Sequence, residues 1–350
     1  MPDRIIPLSS DTETTPSEEM RQAMAQAPVG DEQKGADPSV NALLERTCEI
    51  LGKESALFLP SGVMCNAVAL KTHTRPGDVV IAEHMTHIIR SEAGGAGICS
   101  GILLEPVVTP NGIFSADDVD QTLARISTAP VPYAPPARLL CFEQTHNFSG
   151  GTVWEYDQLQ GAADRGRELG LATHMDGARL FNAVAATGVS AARFSACVDS
   201  VWVDFTKGLG APLGAVLAGS REFIAEARRY KHAFGGAMRQ AGIVAAGCLW
   251  ALEHHLERIE QDHAHARLLS AGLGAIDGIG LLNPEPRTNI VFFDVSGLGL
   301  SPKRFTALLK DHGVEMSSIG GLVRAVTHLD VSRSDIHTAL EAIQQLACRK

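Results

Sequence analysis

The sequence predicts an α/β fold in which a large domain with a mainly parallel seven-stranded sheet precedes a smaller α+β domain. Two patterns support this prediction. From about residue 18 to residue 250, short apolar segments of strand length alternate with longer segments of helical period, which is typical of parallel sheets flanked by helices. After residue 250 the order of elements changes. We therefore expect a large domain with an N-terminal segment over residues 1–250 and a small C-terminal domain over residues 251–350.

Seven apolar segments are expected to form the large sheet. They cover residues 55–59, 79–82, 101–108, 139–143, 171–175, 200–205 and 214–218. Helical spacing of apolar side chains predicts helices between them, at 157–169, 190–194 and 221–230. For the small domain the pattern predicts a long helix at 252–273, a strand at 289–294, a helix at 302–312, short strands at 314–317 and 323–326, and a final helix at 332–348.

Composition and charge exclude several classes of protein. The chain is 45% hydrophobic and 20% charged with a net charge of −10, and it has no cluster of Lys and Arg, so nucleic acid is not an expected partner. No apolar run approaches membrane-spanning length and the N-terminus lacks a signal-peptide pattern, so no membrane association is expected. The seven cysteines are scattered, which favours neither disulfides nor a zinc site and indicates a reducing, cytoplasmic compartment.

A lysine follows the sixth predicted strand where a glycine-rich turn begins. Lys207 precedes Gly208-Leu209-Gly210 and is expected at the sheet edge where ligands of open α/β sheets bind. Asp176 ends the fifth strand in an equivalent way. This pair suits pyridoxal 5′-phosphate (PLP), which bonds to a lysine and needs an acidic partner for its ring nitrogen. A lysine that only caps a strand end, and a simple Asp-Gly turn, are the structural alternatives.

Other short segments add to this pattern in order along the chain. They are Ser10-Asp11-Thr12, Val29-Gly30-Asp31, Asp37-Pro38-Ser39-Val40-Asn41, Pro60-Ser61-Gly62, His87, Glu92-Ala93-Gly94-Gly95, Thr145-His146-Asn147, His174-Met175-Asp176-Gly177-Ala178-Arg179, Gly235-Gly236 with Met238-Arg239-Gln240, and Val323-Arg324 with Val326-Thr327-His328-Leu329-Asp330. With the lysine segment, this ordered set resembles the low-specificity L-threonine aldolases, PLP-dependent enzymes of the aspartate aminotransferase fold (fold type I). The resemblance runs from about residue 10 to residue 330.

The resemblance implies a lyase activity and an assembly. Its members cleave L-threonine, L-allo-threonine or related β-hydroxy-α-amino acids to glycine and an aldehyde, so a small-molecule β-hydroxy amino acid is the expected substrate and PLP the expected cofactor. Because active sites of this fold are generally completed by a neighbouring subunit, a homodimer or homotetramer is implied.

Several residues are expected to bind the cofactor. Ser61, Gly62 and Val63 follow an apolar strand and open a helix, and the free amides of a helix start attract phosphate; an ordinary serine cap is the alternative. Relatives commonly have threonine at position 63, so the amides and Ser61 are expected to contribute more here. Arg239 matches a family arginine that reaches the phosphate across a subunit interface, with a solvated surface arginine as the alternative. The full set that the resemblance implies is Ser61, Gly62, Val63, His87, Asp176, Arg179, Lys207 and Arg239.

The implied catalytic set is Lys207, His87 and His146. His87 matches the family imidazole that stacks on the cofactor ring, and His146 follows the strand at 139–143 at the same sheet edge. Imidazole titrates near neutral pH, which suits proton transfer at the substrate hydroxyl. Whether His87, His146 or a bound water is the base stays open, and a structural histidine is the alternative.

The substrate carboxylate is expected to bind Arg324, with Arg179 and Ser10 assisting, because a guanidinium can form two parallel hydrogen bonds to a carboxylate. His146 completes the implied substrate-binding set, and a plain edge residue is the alternative for Arg324. The histidines at positions 254, 255, 263 and 265 have no metal-ligand spacing, so we expect a solvated helix face and no metal site there.

The chain departs from the family pattern near the expected entrance of the site. It has Thr14-Thr15-Pro16 where relatives usually have Thr-Arg-Pro, and Lys34-Gly35-Ala36 where they have Tyr-Gly-Glu or Tyr-Gly-Asp. Loss of an aromatic ring and a carboxylate makes a bulkier substrate such as phenylserine an alternative. The same parts could also catalyse β-elimination, racemisation or transamination, and a non-catalytic PLP-binding regulatory protein is a more distant interpretation.

Overall fold

The computed structural model describes residues 4–348. Its strands are β1 (Ile6–Pro7), β2 (Ser55–Leu59), β3 (Val79–Glu83), β4 (Leu103–Val107), β5 (Ala137–Glu143), β6 (Ala172–Gly177), β7 (Ser200–Asp204), β8 (Ala215–Gly219), β9 (Gly280–Leu281), β10 (Ile290–Asp294), β11 (Val314–Glu315), β12 (Ser317–Ile319) and β13 (Leu322–Val326). Its α-helices are α1 (Glu18–Ala25), α2 (Pro38–Leu51), α3 (Gly62–His73), α4 (His87–Arg90), α5 (Ala116–Ile126), α6 (Tyr156–Glu168), α7 (Leu180–Thr187), α8 (Ala191–Ala196), α9 (Arg221–Ala233), α10 (Gly242–His254), α11 (Ile259–Gly274), α12 (Pro302–Asp311) and α13 (Arg333–Ala347). Short 3₁₀ turns occur at Asp11–Glu13, Glu32–Lys34 and Ser296–Leu298, and a π-helical turn at Ala96–Ser100.

The large sheet has the strand order β2-β8-β7-β6-β5-β3-β4. Strand β8 is antiparallel to both of its neighbours, and the other pairs are parallel. The predicted seven-stranded, mainly parallel sheet is therefore confirmed, and each of the seven apolar segments forms one of its strands. Because β3, β5, β6 and β7 run in the same direction, their carboxyl ends meet at one edge of the sheet.

Aromatic side chains fill the main core beside the central strands. Phe142 on β5 is 1% exposed and lies with its ring centre 5.2 Å from that of Trp154, at 82° to it. Phe114 lies 5.3 Å from Phe142 in a stacked arrangement and 4.9 Å from Trp154 edge-on. Edge-to-face aromatic pairs at these separations stabilise a fold by more than the burial of their surface alone. This aromatic trio therefore fixes β5 against the segments that carry Phe114 and Trp154.

A second core lies under the antiparallel sheet β12-β13-β10-β9. Phe293 and Phe305 meet there edge-on at 6.0 Å, packed with apolar residues of α11, α12 and α13. Strand β1 pairs in parallel with β11, and its Ile6 joins this second core. The N-terminal segment therefore packs on the C-terminal part of the chain, and the division near residue 250 stays a prediction.

The expected single helix over residues 252–273 was wrong, because α10 ends at His254 and α11 begins at Ile259. The expected solvated histidine face was also wrong for two of its members. His263 and His265 are 2% and 6% exposed, since α11 packs against α7 and α13. Burial lowers the pKa of His263 to about 4, and its Nε2 lies 3.1 Å from Asn182 Nδ2.

The helices over residues 4–348 include none with both the length and the apolar character that crossing a membrane requires. The apolar segment at 242–252 lies in α10. Ala245, Cys248 and Ala251 are each 0% exposed, so this apolar helix is buried in the core of the protein.

Replacement of Phe142 by Ala is expected to lower the free energy of unfolding by about 3–5 kcal/mol, because it removes a ring packed on two others and leaves a cavity. Urea denaturation followed by circular dichroism measures this change. Tyr133→Ala is the matched aromatic control, since Tyr133 is 79% exposed, and should stay within about 0.5 kcal/mol of the parent. Equal effects of the two substitutions would contradict the packing of the aromatic trio.

Candidate active site

The carboxyl edge of the large sheet brings together polar side chains from distant segments. Those that follow or end its parallel strands are Glu83 and His87 (β3), Glu143, His146 and Asn147 (β5), Asp176 and Arg179 (β6), and Asp204 and Lys207 (β7). The strands themselves are buried and mostly apolar, which explains why these polar groups appear only at the ends. The sequence-predicted Lys207, Asp176 and His87 therefore lie at one edge.

Lys207 is delivered by the turn after β7. Its Nζ lies 3.4 Å from Asp204 Oδ2 and 5.6 Å from the centre of the Trp202 ring. Gly208 and Gly210 have φ angles of 74° and 81°, a conformation that favours glycine, so the chain can turn back immediately after the lysine. The side chain of Lys207 is 17% exposed, so its amine is sheltered but reachable.

Asp176 is a buried carboxylate at the end of β6. Its Oδ2 accepts from Asn66 Nδ2 at 2.8 Å and its Oδ1 accepts from the Ala178 amide at 3.1 Å. Burial and the charge of Glu143 raise the pKa of Asp176 to about 6, while the positive charge of Lys207 acts in the opposite direction. A cation placed beside Asp176 would lower that pKa, as the charge of Lys207 already does. A protonated nitrogen is therefore favoured next to this carboxylate.

His87 begins α4 at the same edge. Its Nδ1 lies 2.8 Å from Glu92 Oε1, and its backbone amide donates to Glu143 Oε2 at 2.6 Å. Burial lowers the pKa of His87, but the hydrogen bond with Glu92 and the charges of Asp176 and Glu92 outweigh it, so the net pKa is raised. With Nδ1 engaged by Glu92 and the side chain 28% exposed, Nε2 is the nitrogen that can meet a substrate.

His146 occupies a different environment. It is 0% exposed, and its Nε2 lies 2.9 Å from Glu83 Oε2. The ring packs on Gly112, where a Cβ would lie 2.5 Å from it, and Nδ1 is buried without a hydrogen-bond partner among the described residues. Burial lowers the pKa of His146, but the charge of Glu143 and the hydrogen bond with Glu83 raise it more, so His146 tends to keep its proton.

Two buried arginines differ in whether they have an acidic partner. Arg179 donates from Nε and Nη2 to the carboxylate of Asp11 at 2.6 and 2.7 Å. Arg324 donates to the Ser9 carbonyl at 2.9 Å and to Asn147 Oδ1 at 3.2 Å, and its Nε is buried without a partner among residues 4–348. Within the same residues no carboxylate forms an ion pair with it. Burial and the charge of Arg179 lower the pKa of Arg324 to about 10, which is consistent with a cation that lacks its anion.

The start of α3 follows β2 at the same edge. Ser61 caps the helix by accepting from the Met64 amide at 3.2 Å, and Val63 is 45% exposed. Gly62 lies against Trp202, where a Cβ would be 2.2 Å from the indole ring, so only glycine fits without displacement. The first amides of a helix have no partner within it, which makes this start suitable for an anion.

Two sequence-predicted residues lie apart from these groups or use their side chains locally. Arg239 is on the surface, with a side chain 63% exposed and Nη1 3.1 Å from Asp31 Oδ2. Among residues 4–348 no ion pair or hydrogen bond joins it to the groups at the sheet edge. Ser10 accepts from Thr12 Oγ1 at 2.8 Å and caps the turn that contains Asp11.

Five residues that bind these side chains were not singled out from the sequence as site residues. They are Asp11, Asn66, Glu83, Glu92 and Asn147. Asp11, Glu92 and Asn147 lie inside segments that carry the family resemblance, and that position was the available signal. Asn66 and Glu83 gave no comparable signal.

Within residues 4–348, His87, Glu92 and Asp176 form a group whose ligand atoms lie within 4.8 Å of one another and could hold a metal ion. Asn66 donates to both carboxylates, and Glu92 in turn bonds to His87. These hydrogen bonds account for the proximity of the three groups.

Comparison with known proteins gives consistent matches over almost the whole chain. The model of the β-eliminating lyase family matches residues 7–297. The chain is 35% identical to low-specificity L-threonine aldolase 1 of Arabidopsis thaliana, over 98% of this chain and 96% of that protein. It is 37% identical to low specificity L-threonine aldolase of Escherichia coli K12, over 95% of this chain and 96% of that protein.

A solved structure of threonine aldolase from Leishmania major matches with a TM-score of 0.81 at 20% identity, covering 98% of this chain and 99% of that chain. Serine palmitoyltransferase of Sphingomonas wittichii matches with a TM-score of 0.76 at 17% identity, covering 98% and 87%. Matches at these identities show the fold, which is the fold type I predicted from the sequence.

Glu83→Gln is expected to lower the pKa of His146, because the substitution removes a charged hydrogen-bond partner. In the parent, protonated His146 stabilises the fold fully at pH values below its unfolded pKa of about 6.5. This stabilisation is lost as pH rises through its higher pKa in the folded protein. Because the pKa of Glu83 is lowered to about 2, its own contribution is fully present only above its unfolded value of about 4.5, so the loss of stability in Glu83→Gln should be largest between about pH 4.5 and 6.5. NMR titration of His146 and urea denaturation at several pH values measure these effects.

Glu155→Gln is the matched control, because Glu155 lies on the surface with a side chain 48% exposed. It should leave the pKa of His146 unchanged. An unchanged pKa of His146 in Glu83→Gln would contradict the assignment of Glu83 as its partner.

Proposed function

Because this chain belongs to the β-eliminating lyase family, and within it to the low-specificity L-threonine aldolases, we propose that it is a PLP-dependent carbon–carbon lyase. It cleaves L-threonine, L-allo-threonine or a related β-hydroxy-α-amino acid to glycine and an aldehyde. The observation that supports this most directly is the meeting of Lys207, Asp176 and His87 at one sheet edge. The reaction requires a lysine that bonds to the cofactor, a carboxylate that pairs with the ring nitrogen, and a base for the substrate hydroxyl, and these three residues are of the right types.

The residues at the edge fit the cofactor. When bound, PLP supplies an electron-accepting ring that allows the bond between Cα and Cβ of an amino acid to break. Lys207 would hold it covalently, and Asp176 would pair with its ring nitrogen. His87 would lie against the ring, while Ser61 and the first amides of α3, those of Gly62 and Val63, would bind the phosphate.

Arg324 is the proposed site of the substrate carboxylate. It is a buried cation without an acidic partner among the described residues. Its unpartnered Nε and a second nitrogen of the same guanidinium can donate two parallel hydrogen bonds to a carboxylate. Arg179 is already bound by Asp11, so it assists through Asn147, whose Oδ1 lies 3.3 Å from its Nη1. Ser10 lies beside the Ser9 carbonyl that Arg324 binds, which supports an assisting role for it.

The geometry favours His87 over His146 as the acceptor of the substrate hydroxyl proton. His87 is partly exposed and keeps Nε2 available, whereas His146 is fully buried against Gly112 and Glu83. A general base must come within hydrogen-bond reach of the proton it removes, directly or through one water. His146 then acts from behind the site as a positive charge.

A subunit contact and a cytoplasmic location complete the proposal. Arg239 is exposed and apart from its own sheet edge, which is consistent with a phosphate contact in a neighbouring subunit of a homodimer or homotetramer. Val63 and Ile243, at the starts of α3 and α10, are apolar and 45% and 49% exposed, so a partner could cover them. The seven cysteines are all free, which suits a reducing cytoplasm.

The purified protein with added PLP is expected to form glycine and aldehyde in equal amounts from L-threonine, L-allo-threonine or L-phenylserine. Quantifying both products for each substrate ranks the three and tests the alternative of a bulkier substrate. Lys207→Ala should abolish product formation and the absorption band of lysine-bound PLP. Release of a 2-oxo acid and ammonia without aldehyde would contradict the aldolase assignment and indicate β-elimination.

Arg324→Lys is expected to raise KM for L-threonine by roughly 10- to 100-fold, because a charged pair of hydrogen bonds worth about 1.5–3 kcal/mol is replaced by a single weaker contact. Steady-state kinetics on the PLP-loaded enzyme measure this change. Arg287→Lys is the control, since Arg287 is paired with Glu155 on the surface. A KM for Arg324→Lys within twofold of the parent would contradict the carboxylate assignment.

A further inference from the structure

Asn66 is a fully buried amide near the start of α3, and its side-chain hydrogen bonds among the described residues are all to groups around the candidate site. Its Nδ2 donates to Asp176 Oδ2 at 2.8 Å and to Glu92 Oε1 at 2.7 Å. Its Oδ1 accepts from Trp202 Nε1 at 2.7 Å. Side chains from β6, from β7 and from the loop after α4 therefore meet on one side chain.

The orientation of this amide follows from its partners. The indole N–H of Trp202 can only donate, so it must face Oδ1. Ionised Asp176 and Glu92 can only accept, so they must face Nδ2. Each of the two Nδ2 hydrogens is then used by one carboxylate, and no donor or acceptor atom of the buried amide is left without a partner.

The hydrogen bonds continue from Asn66 to His87. The same Glu92 oxygen that accepts from Asn66 lies 2.8 Å from His87 Nδ1. The ligand atoms of His87, Glu92 and Asp176 lie within 4.8 Å of one another. Two buried carboxylates at this spacing repel each other, and a neutral group that donates to both of them offsets this repulsion.

The chemistry of position 66 is accordingly specific. Aspartate would retain the contact with Trp202 but would add a third carboxylate to the pair. Leucine has a similar shape and would remove both donated hydrogen bonds. Only a side chain with two donors and one acceptor in the plane of an amide satisfies Asp176, Glu92 and Trp202 together.

We propose that Asn66 is a positioning residue of the cofactor site, which holds Asp176 and, through Glu92, His87 in a fixed relation to each other. This inference rests on the function proposed above, where Asp176 and His87 are assigned to the ring nitrogen and the ring face. Without Asn66 both carboxylates can turn away from their present positions. The two contacts with the ring are then weakened together.

The test uses apoprotein of the parent and of Asn66→Ala and Asn66→Leu. The Kd for PLP, measured by absorbance and fluorescence titration, is expected to rise at least tenfold in both variants. The ¹⁵N NMR spectrum of His87 should lose the signature of a proton fixed on Nδ1. This second readout needs neither bound PLP nor activity, and a purely structural role of Asn66 would not change it in folded protein.

Asn182→Ala is the matched control. Asn182 is also a buried asparagine, 8% exposed, but its amide contacts His263 on α11 rather than the sheet edge. It should leave the Kd for PLP and the His87 spectrum unchanged. If the Asn66 variants do not fold, Glu92→Leu removes the oxygen that joins Asn66 to His87 and should change the His87 spectrum in the same direction.

Folded Asn66 variants with the Kd and the His87 spectrum of the parent would overturn the inference, as would a Glu92→Leu variant with an unchanged His87 spectrum. These outcomes are distinct from failure of the proposed function. Parent protein that binds PLP but forms no glycine and aldehyde would contradict the aldolase assignment, and the Kd comparison between the parent and the variants would still decide the role of Asn66.

Discussion

The buried ion pair between Asp11 and Arg179 is the contact on which the arrangement of the site depends. The Asp11 carboxylate also accepts from Asn289 Nδ2 at 3.1 Å, and its carbonyl accepts from the Gly208 amide at 2.9 Å. One residue thus joins the N-terminal segment to the end of β6, to the lysine turn and to the C-terminal part of the chain. Burial raises the pKa of Asp11, but the charge and hydrogen bonds of Arg179, the charge of Lys207 and the hydrogen bond from Asn289 together outweigh it, so the net pKa is lowered; this stabilisation is fully present above about pH 3.8 and is lost in stronger acid.

This pairing also determines the charge that a ligand meets. Asp11 neutralises Arg179, so Arg324 remains as the buried cation without an acidic partner among the described residues, and Asn147 accepts from both guanidinium groups. On the other side of the site, Asp176 provides a buried negative charge. A ligand with a carboxylate at one end and a protonated nitrogen at the other is therefore oriented by the field of the site, before any bond is made or broken.

Local pattern predicted the residues that follow strands, because each signal lies in consecutive sequence. Lys207 and Asp176 were found in this way, and the parallel sheet then placed them at one edge. Contacts between distant segments have no such signal: Asn66 and Asp176 are 110 residues apart and meet because α3 packs beside β6. The break between α10 and α11, at residues 255–258, contains neither proline nor glycine, and the burial of His263 is decided by neighbouring helices, so neither could be predicted from its own segment.

The two histidines show how the environment assigns different chemistry to residues that the sequence treats alike. Both have a raised pKa, but for different reasons and with different access. His146 lies buried near Glu83 and Glu143, where keeping its proton offsets two negative charges that would otherwise be costly to bury. His87 shares its Nδ1 with one carboxylate, is partly exposed, and has no hydrogen bond to Nε2 among the described residues. A proton acceptor has to reach its substrate, so exchanging the two roles would require moving Gly112 and β3 and not only changing a protonation state.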